Sequence, residues 1–209
     1  MMRGVFGKRR LFGLAACLSI LLLAPFALDR LFPPNLSRLH EVGVEVQDRE
    51  GRILSVLPAP GGFWRLATRP DDVAPVLLDL LIAAEDRRFY QHAGVDPLAL
   101  GRAAGQWLRA GRVISGGSTI TMQAARLLEP RPRGLRAKAI EIFRAFQLEA
   151  RFSKREILGI WLTLAPQGGN IEGIRAGALA WFSKSGRVFV MLSKHALPCV
   201  QTLLVAPKQ

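Results

Sequence analysis

Eighteen consecutive residues, Leu11 to Leu28, carry no charge, and Arg3, Lys8, Arg9 and Arg10 stand just before them. As a helix this run would be about 27 Å long at roughly 1.5 Å per residue, close to the roughly 30 Å hydrocarbon core of a bilayer. A basic flank on the N-terminal side holds that end in the cytoplasm and sends the rest of the chain outside. A cleaved signal peptide is the competing reading, but its apolar region is shorter, about 7–15 residues, and no Ala-x-Ala site ends the run. Leu14-Ala15-Ala16-Cys17 has the form of a lipoprotein cleavage box, yet it lies in mid-run with little apolar sequence before it. The expectation is a retained anchor over residues 11–28, after a basic cytoplasmic segment over 1–10. Cys17 then lies in lipid and cannot pair with Cys199, the other cysteine.

The remaining chain has to fold outside the membrane. It belongs to a protein of 209 residues, half of them hydrophobic, which is enough for one domain with its own core. Lysine and arginine number 29 against 16 acids, a formal charge of +13, so the chain suits an anionic partner. Placement outside the cytoplasm, and the lack of a basic-aromatic platform, argue against nucleic acid and for lipid phosphates. The three histidines stand far apart, and His195 with Cys199 is the one close pair of these residue types, short of a set of zinc ligands, so no zinc site is indicated.

Pro33, Pro34 and Asn35 break the anchor. Val42, Val44 and Val46 alternate with polar residues, Asp48 to Gly51 form a turn, and Ile53, Leu54 and Val56 resume the pattern, which predicts a β-hairpin. Helices follow. Asp71 or Asp72 is placed to cap one that runs to Ala84, and Asp96-Pro97 opens a second that stops near Gly111. Ser118 and Thr119 open a third, to Leu128. A long helix spans roughly Leu135 to Arg151, and Ser153 with Glu156 forms a capping box for the next. Pro166 to Asn170 reads as a loop and Ile171 to Phe182 as a last helix. The body is mainly α with a small β element. The organisation is a linker and hairpin over 29–66, a helical domain over 67–184 and a tail over 185–209.

Three groups of residues could do chemistry. Glu85 ends an apolar helix and is followed by Asp86, Arg87, Arg88, Phe89, Tyr90 and His92. A carboxylate at such a rim can act as acid or base, although a charged cluster at a helix end accounts for the same residues. Gly116-Gly117-Ser118-Thr119 precedes a helix and leaves backbone N–H groups facing an anion, or is simply a helix start. Lys138, Glu141 and Arg144 recur at three-residue steps on one helix face, as in a solvated charged stripe.

Taken together these residues resemble one family. Glu85-Asp86-Arg87-Arg88-Phe89-Tyr90-Gln91-His92-x-Gly94-Val95-Asp96 is similar to the first motif of the peptidoglycan glycosyltransferases, the lysozyme-like domain of class A penicillin-binding proteins. Gly116 to Gln123 resembles the second motif, Lys138-x-x-Glu141 the third, Ser153 to Leu158 the fourth, and Asn170 to Ala176 with Phe182-x-Lys184 the fifth. They occur in the family's order over about residues 42–184. Met122 with Ala125 to Leu128, and Ala165-Pro166-x-Gly168-Gly169-Asn170, resemble the 1C branch.

The resemblance implies a mainly α, lysozyme-like fold standing on a small β-hairpin element and one transmembrane helix. It implies that lipid II and a nascent glycan strand are joined by a β-1,4 bond in cell-wall synthesis, with undecaprenyl pyrophosphate leaving. Glu85 takes the place of the general base on the acceptor's sugar hydroxyl. Glu141 belongs to the donor side, where a carboxylate can orient cations or hold a divalent ion, Mg2+ or Mn2+. Substrate contacts fall to Asp86, Phe89, His92, Gly116, Gly117, Ser118, Thr119, Gln123, Arg126 and Lys138. The implied setting is the bacterial inner membrane, single-pass, with the domain facing the periplasm or cell exterior and other cell-wall synthesis proteins as partners. The sequence departs from the family at Ala137, where arginine is usual, and at Gly159, Trp161 and Thr163, where Glu, Tyr and Asn are common. After Lys184 the pattern fades, and no transpeptidase domain follows. Two alternatives stand beside the synthetic enzyme: a shortened remnant that only binds lipid II or partner proteins, and a lysozyme-like lytic enzyme, which also needs a catalytic carboxylate.

Overall fold

The computed structural model describes residues 27–111 and 117–182, apart from the side chain of Trp107. Most of the expected membrane anchor and the tail from residue 185 lie outside the described residues, as do Gly116 and both cysteines. Among the described residues no helix is long and apolar enough to cross a membrane. Residues 27–31 are helical, and a separate compact unit begins at Asn35.

The expected hairpin forms, but with its faces reversed: Val44 and Val46 are 58% and 42% exposed, while Glu45 between them turns inward and pairs with Arg175 at 2.7 Å. Strand β1 (Val44–Gln47) pairs antiparallel with β2 (Ile53–Leu57), Val44 opposite Leu57 and Val46 opposite Ser55. Asp48 fixes the turn, its carboxylate accepting from the backbone N–H groups of Glu50 and Arg52 at 3.0 and 2.7 Å. A second sheet is absent from the sequence reading. Strand β3 (Trp64–Arg65) lies parallel to β5 (Ile171–Glu172), which pairs antiparallel with β4 (Pro166–Gly168). The segment read as a loop therefore contains a strand, and the last helix starts later than Ile171. Gly173 causes the delay. Its φ of 85° ends β5, and a Cβ there would stand 2.5 Å from the Thr163 carbonyl oxygen.

Among the described residues from Asn35 onward, six α-helices make the body: α1 (Pro75–Glu85), α2 (Pro97–Ala110), α3 (Ile120–Leu128), α4 (Leu135–Arg151), α5 (Lys154–Leu164) and α6 (Ile174–Phe182). Most starts match the capping residues. Asp96 accepts from the N–H groups of Leu98 and Ala99, each at 3.0 Å, and opens α2. Thr119 accepts from Met122 at 3.1 Å and opens α3. Ser153 and Glu156 form the capping box of α5. The expected aspartate cap of α1 is not used. Asp72 instead accepts from Arg69 N–H at 2.8 Å in a 3₁₀ turn, Pro70–Asp72, and α1 opens on Pro75 without a side-chain cap.

Helices α3 and α5 are the centre of the core. Ile120, Ala124, Ala125 and Leu128 of α3 meet Ile157, Leu158, Trp161, Leu162 and Leu164 of α5, with Leu148 of α4 and Phe89 from the loop after α1. Burying an aliphatic or aromatic side chain of this size contributes about 1.5–3 kcal/mol. This apolar centre makes α3 the fixed element from which the polar residues at its start project.

Candidate active site

The chain enters the site at the end of α1, where Glu85 and Asp86 are consecutive and face different surroundings. Glu85 is exposed, whereas Asp86 is buried. Both are held by the first turn of α3. The Asp86 carboxylate accepts from the backbone N–H of Ile120 at 3.0 Å, satisfying one of the donors that a helix start leaves without an internal partner. It also lies 3.1 Å from His92 Nε2. Gln123, at the end of the same turn, donates from Nε2 to Glu85 Oε2 at 2.9 Å. The first and second motifs are thus joined at two adjacent acids, one buried and one open.

The third motif meets the same helix start from α4. Lys138 Nζ donates to Ser118 Oγ at 2.5 Å and to Glu141 Oε2 at 3.1 Å. Arg144 leaves this group: its Nε donates to Glu129 Oε2 at 3.2 Å. The charged stripe therefore divides, with Lys138 and Glu141 toward Ser118 and Arg144 toward Glu129. Arg126 is partly exposed on α3 and stands three residues after Gln123, on the same side of the helix.

Thr119, Phe89, Asp86 and His92 are interior. Thr119 donates to the Gly94 carbonyl oxygen at 2.5 Å and is 2% exposed. Phe89 is fully buried, with Lys154 Nζ 4.6 Å from its ring centroid. The His92 side chain is 6% exposed, and its Nδ1 is buried with no hydrogen-bond partner among the described residues. These four hold the loop and helix start in place. Gly117 is needed for close approach: a Cβ there would meet the Leu100 side chain at 3.1 Å and the Ala103 Cβ at 3.3 Å on α2.

One residue of the site escaped the sequence reading. Trp161 of α5 is 5% exposed and donates from Nε1 to Gln123 Oε1 at 3.1 Å. Its signal was the departure from tyrosine at that position. The fifth-motif Glu172 is structural, paired with Arg65 and Arg38.

A divalent ion fits poorly here. Glu141 is already engaged by the Lys138 ammonium, and among the described residues no three His, Cys, Asp or Glu side chains group to hold a metal ion.

A helical domain with one open carboxylate held by an amide, and a second joined through a lysine to the same helix start, has the parts of a glycosyl-transfer centre. The transglycosylase family model matches residues 51–206, and the chain belongs to that family. The match runs past Lys184. The chain is 45% identical over 172 residues to penicillin-binding protein 1C of Escherichia coli K12, covering 82% of this chain and 22% of that protein. It is 34% identical over 161 residues to penicillin-binding protein 1A of Aquifex aeolicus, covering 77% and 21%. With penicillin-binding protein 1B of Vibrio cholerae the identity is 41% over 114 residues, covering 54% and 15%. The chain thus spans about a fifth or less of the length of these relatives.

Proposed function

We propose that the chain is a peptidoglycan glycosyltransferase that polymerises lipid II into glycan strands. The observation that carries this reading is the hydrogen bond between Gln123 and Glu85, which joins the second motif to the carboxylate of the first at an exposed position. Glu85 acts as general base. A sugar hydroxyl is a weak nucleophile, and removing its proton during attack is worth about 10²–10⁴ in rate. With Oε2 occupied by Gln123, Oε1 receives the proton.

The departing pyrophosphate gains negative charge, and donors aimed at it lower the barrier. Lys138, Ser118 and Arg126 are the candidates. Glu141 orients the Lys138 ammonium that it contacts at 3.1 Å. An α-linked donor and a β-linked product call for one inverting displacement. The net charge of +13 suits a lipid pyrophosphate at a membrane face, and the uncharged run over 11–28 supports anchoring in the inner membrane with the domain outside.

The test compares wild type with Glu85→Gln for polymerisation of lipid II and for binding of a fluorescent lipid II analogue. Glu85→Gln is expected to lose polymerisation and keep binding, because base action is confined to the transition state. Polymerisation at more than about a tenth of the wild-type rate would overturn the assignment. Wild type that binds lipid II without making polymer, or that releases soluble muropeptides from purified sacculi, would overturn the synthetic reading.

A further inference from the structure

We infer that Trp161 is a positioning residue for the base: acting through Gln123, its indole N–H fixes how the Glu85 carboxylate is presented. The inference rests on the reading of Glu85 as general base. A glutamine amide has a donor end and an acceptor end that rotation exchanges. At Gln123 the two ends meet unlike neighbours, Trp161 Nε1 at 3.1 Å and Glu85 Oε2 at 2.9 Å. An indole nitrogen only donates and an ionised carboxylate only accepts. Rotating the Gln123 amide would set two donors against each other at Trp161 and two acceptors against each other at Glu85. Only one orientation satisfies both contacts, and it gives Glu85 a donor on Oε2 while leaving Oε1 for the substrate.

The surroundings make that choice firm at one end and open at the other. Trp161 is 5% exposed and packed in the core between α3 and α5, so its N–H has a fixed direction. An indole N–H buried there without an acceptor would be left as an unmet donor, which is costly. Glu85, by contrast, is exposed at the end of α1, and the Gln123 amide is the link that carries the order of the core out to it. Trp161 does not touch the reacting atoms. Its effect appears in the fraction of Glu85 side chains held ready, which changes kcat more than substrate affinity.

The experiment measures kcat and KM for lipid II polymerisation with the full chain in detergent, for wild type, Trp161→Phe, Gln123→Met, the double variant and Glu85→Gln. Melting curves fix an assay temperature at which every variant is folded. Trp161→Phe removes the N–H and keeps an aromatic ring. It should lower kcat about three- to tenfold, the effect of about one hydrogen bond, with KM little changed. Gln123→Met should lose at least as much, and the double variant should be no worse than Gln123→Met, because both act through one link. An active Glu85→Gln would overturn the base assignment itself. If Glu85→Gln is inactive, a wild-type kcat in Trp161→Phe, a loss confined to KM, or full additivity in the double variant overturns the positioning role.

Discussion

Arg65 and Glu172 form an ion pair of 2.5 Å across the parallel strands β3 and β5, with the arginine side chain 1% exposed. Arg38 adds a second guanidinium on the same carboxylate at 2.9 Å, and Arg65 Nη1 also donates to the Glu41 carbonyl oxygen at 2.7 Å. The segment before the helices is thereby tied to the fifth motif. Replacing Glu172 by glutamine leaves the buried arginine only the more distant Glu41 carboxylate, at 3.8 Å, as counter-charge, and breaking a buried pair costs about 3–5 kcal/mol. Urea denaturation of Glu172→Gln should show a loss of that size. A loss under about 1 kcal/mol, typical of exposed pairs, would mean that the pair does not anchor the strands.

Gly159 lies inside α5 with ordinary helical geometry, and a Cβ there would meet the Thr68 carbonyl oxygen at 3.5 Å and Pro70 Cδ at 3.6 Å, both normal contacts. A cavity of about 350 Å³ lies beside it, lined by Ile160, Thr163, Arg69 and Arg155 among others. Alanine in place of glycine within a helix is worth about 1 kcal/mol. Gly159→Ala should therefore raise stability by about 0.5–1 kcal/mol, read from the shift of the urea midpoint at unchanged slope. The same change at Gly173, where φ is 85° and the Thr163 carbonyl oxygen stands 2.5 Å from the new Cβ, should instead destabilise. A gain at Gly173 would contradict the account of how α6 begins.

The elements legible in sequence were those whose signal is local. Asp96-Pro97, Thr119 and Ser153 with Glu156 announce helix starts because the capping bond lies within three residues. The hairpin was legible because valines alternate with polar residues up to Val46 and Asp48 to Gly51 make a turn, but which face turns inward was not, since Val44 and Val46 are exposed and Glu45 faces Arg175. The second sheet was not, since Trp64–Arg65 and Ile171–Glu172 are two-residue strands whose partners lie over a hundred positions apart. Within the site, residue types and motif order marked Glu85, Gln123, Lys138 and Glu141. Sequence could not tell that Asp86 and Phe89 turn inward while their neighbour Glu85 stays open, because that depends on where the start of α3 meets the loop. The division of Lys138 and Glu141 from Arg144 depends likewise on Glu129, which belongs to another element.

Asp96 gives a pH dependence of definite sign. Its hydrogen bond from the Arg88 guanidinium, together with the N–H groups of Ala99 and Leu98, holds its carboxyl below the ordinary carboxylate range. The unfolded chain therefore takes up this proton first as pH falls. Stability from the pair is complete above the unfolded value near about pH 4 and is lost as pH falls through the lower folded value. Asp96→Asn keeps an acceptor for the cap of α2 but has no charge to lose. Urea midpoints taken between about pH 7 and pH 3 should fall less steeply in Asp96→Asn than in wild type. Parallel curves would show that the pair adds nothing to acid sensitivity.

Lys138 provides the test of the donor side. Its ammonium touches Ser118 Oγ at 2.5 Å and Glu141 Oε2 at 3.1 Å, and its side chain is 33% exposed, so it is tethered and still reachable by a ligand. If the leaving pyrophosphate is stabilised here, the ammonium contributes most when charge has developed on the leaving oxygen, and its removal lowers kcat more than it raises KM. Removing one such donor costs about 10²–10³ in rate. Lys138→Met should show that loss, and Lys138→Arg should recover part of it, because a guanidinium keeps the charge but not the compact geometry. Glu141→Gln should cost less than Lys138→Met, since it leaves the ammonium in place without its orienting partner. Adding Glu141→Gln to Lys138→Met should then change little, because the carboxylate acts through the lysine that is already gone. Single-turnover polymerisation of lipid II by these variants decides the matter. A Glu141→Gln loss that persists in full in the Lys138→Met background would show that Glu141 acts on the substrate directly and not through Lys138.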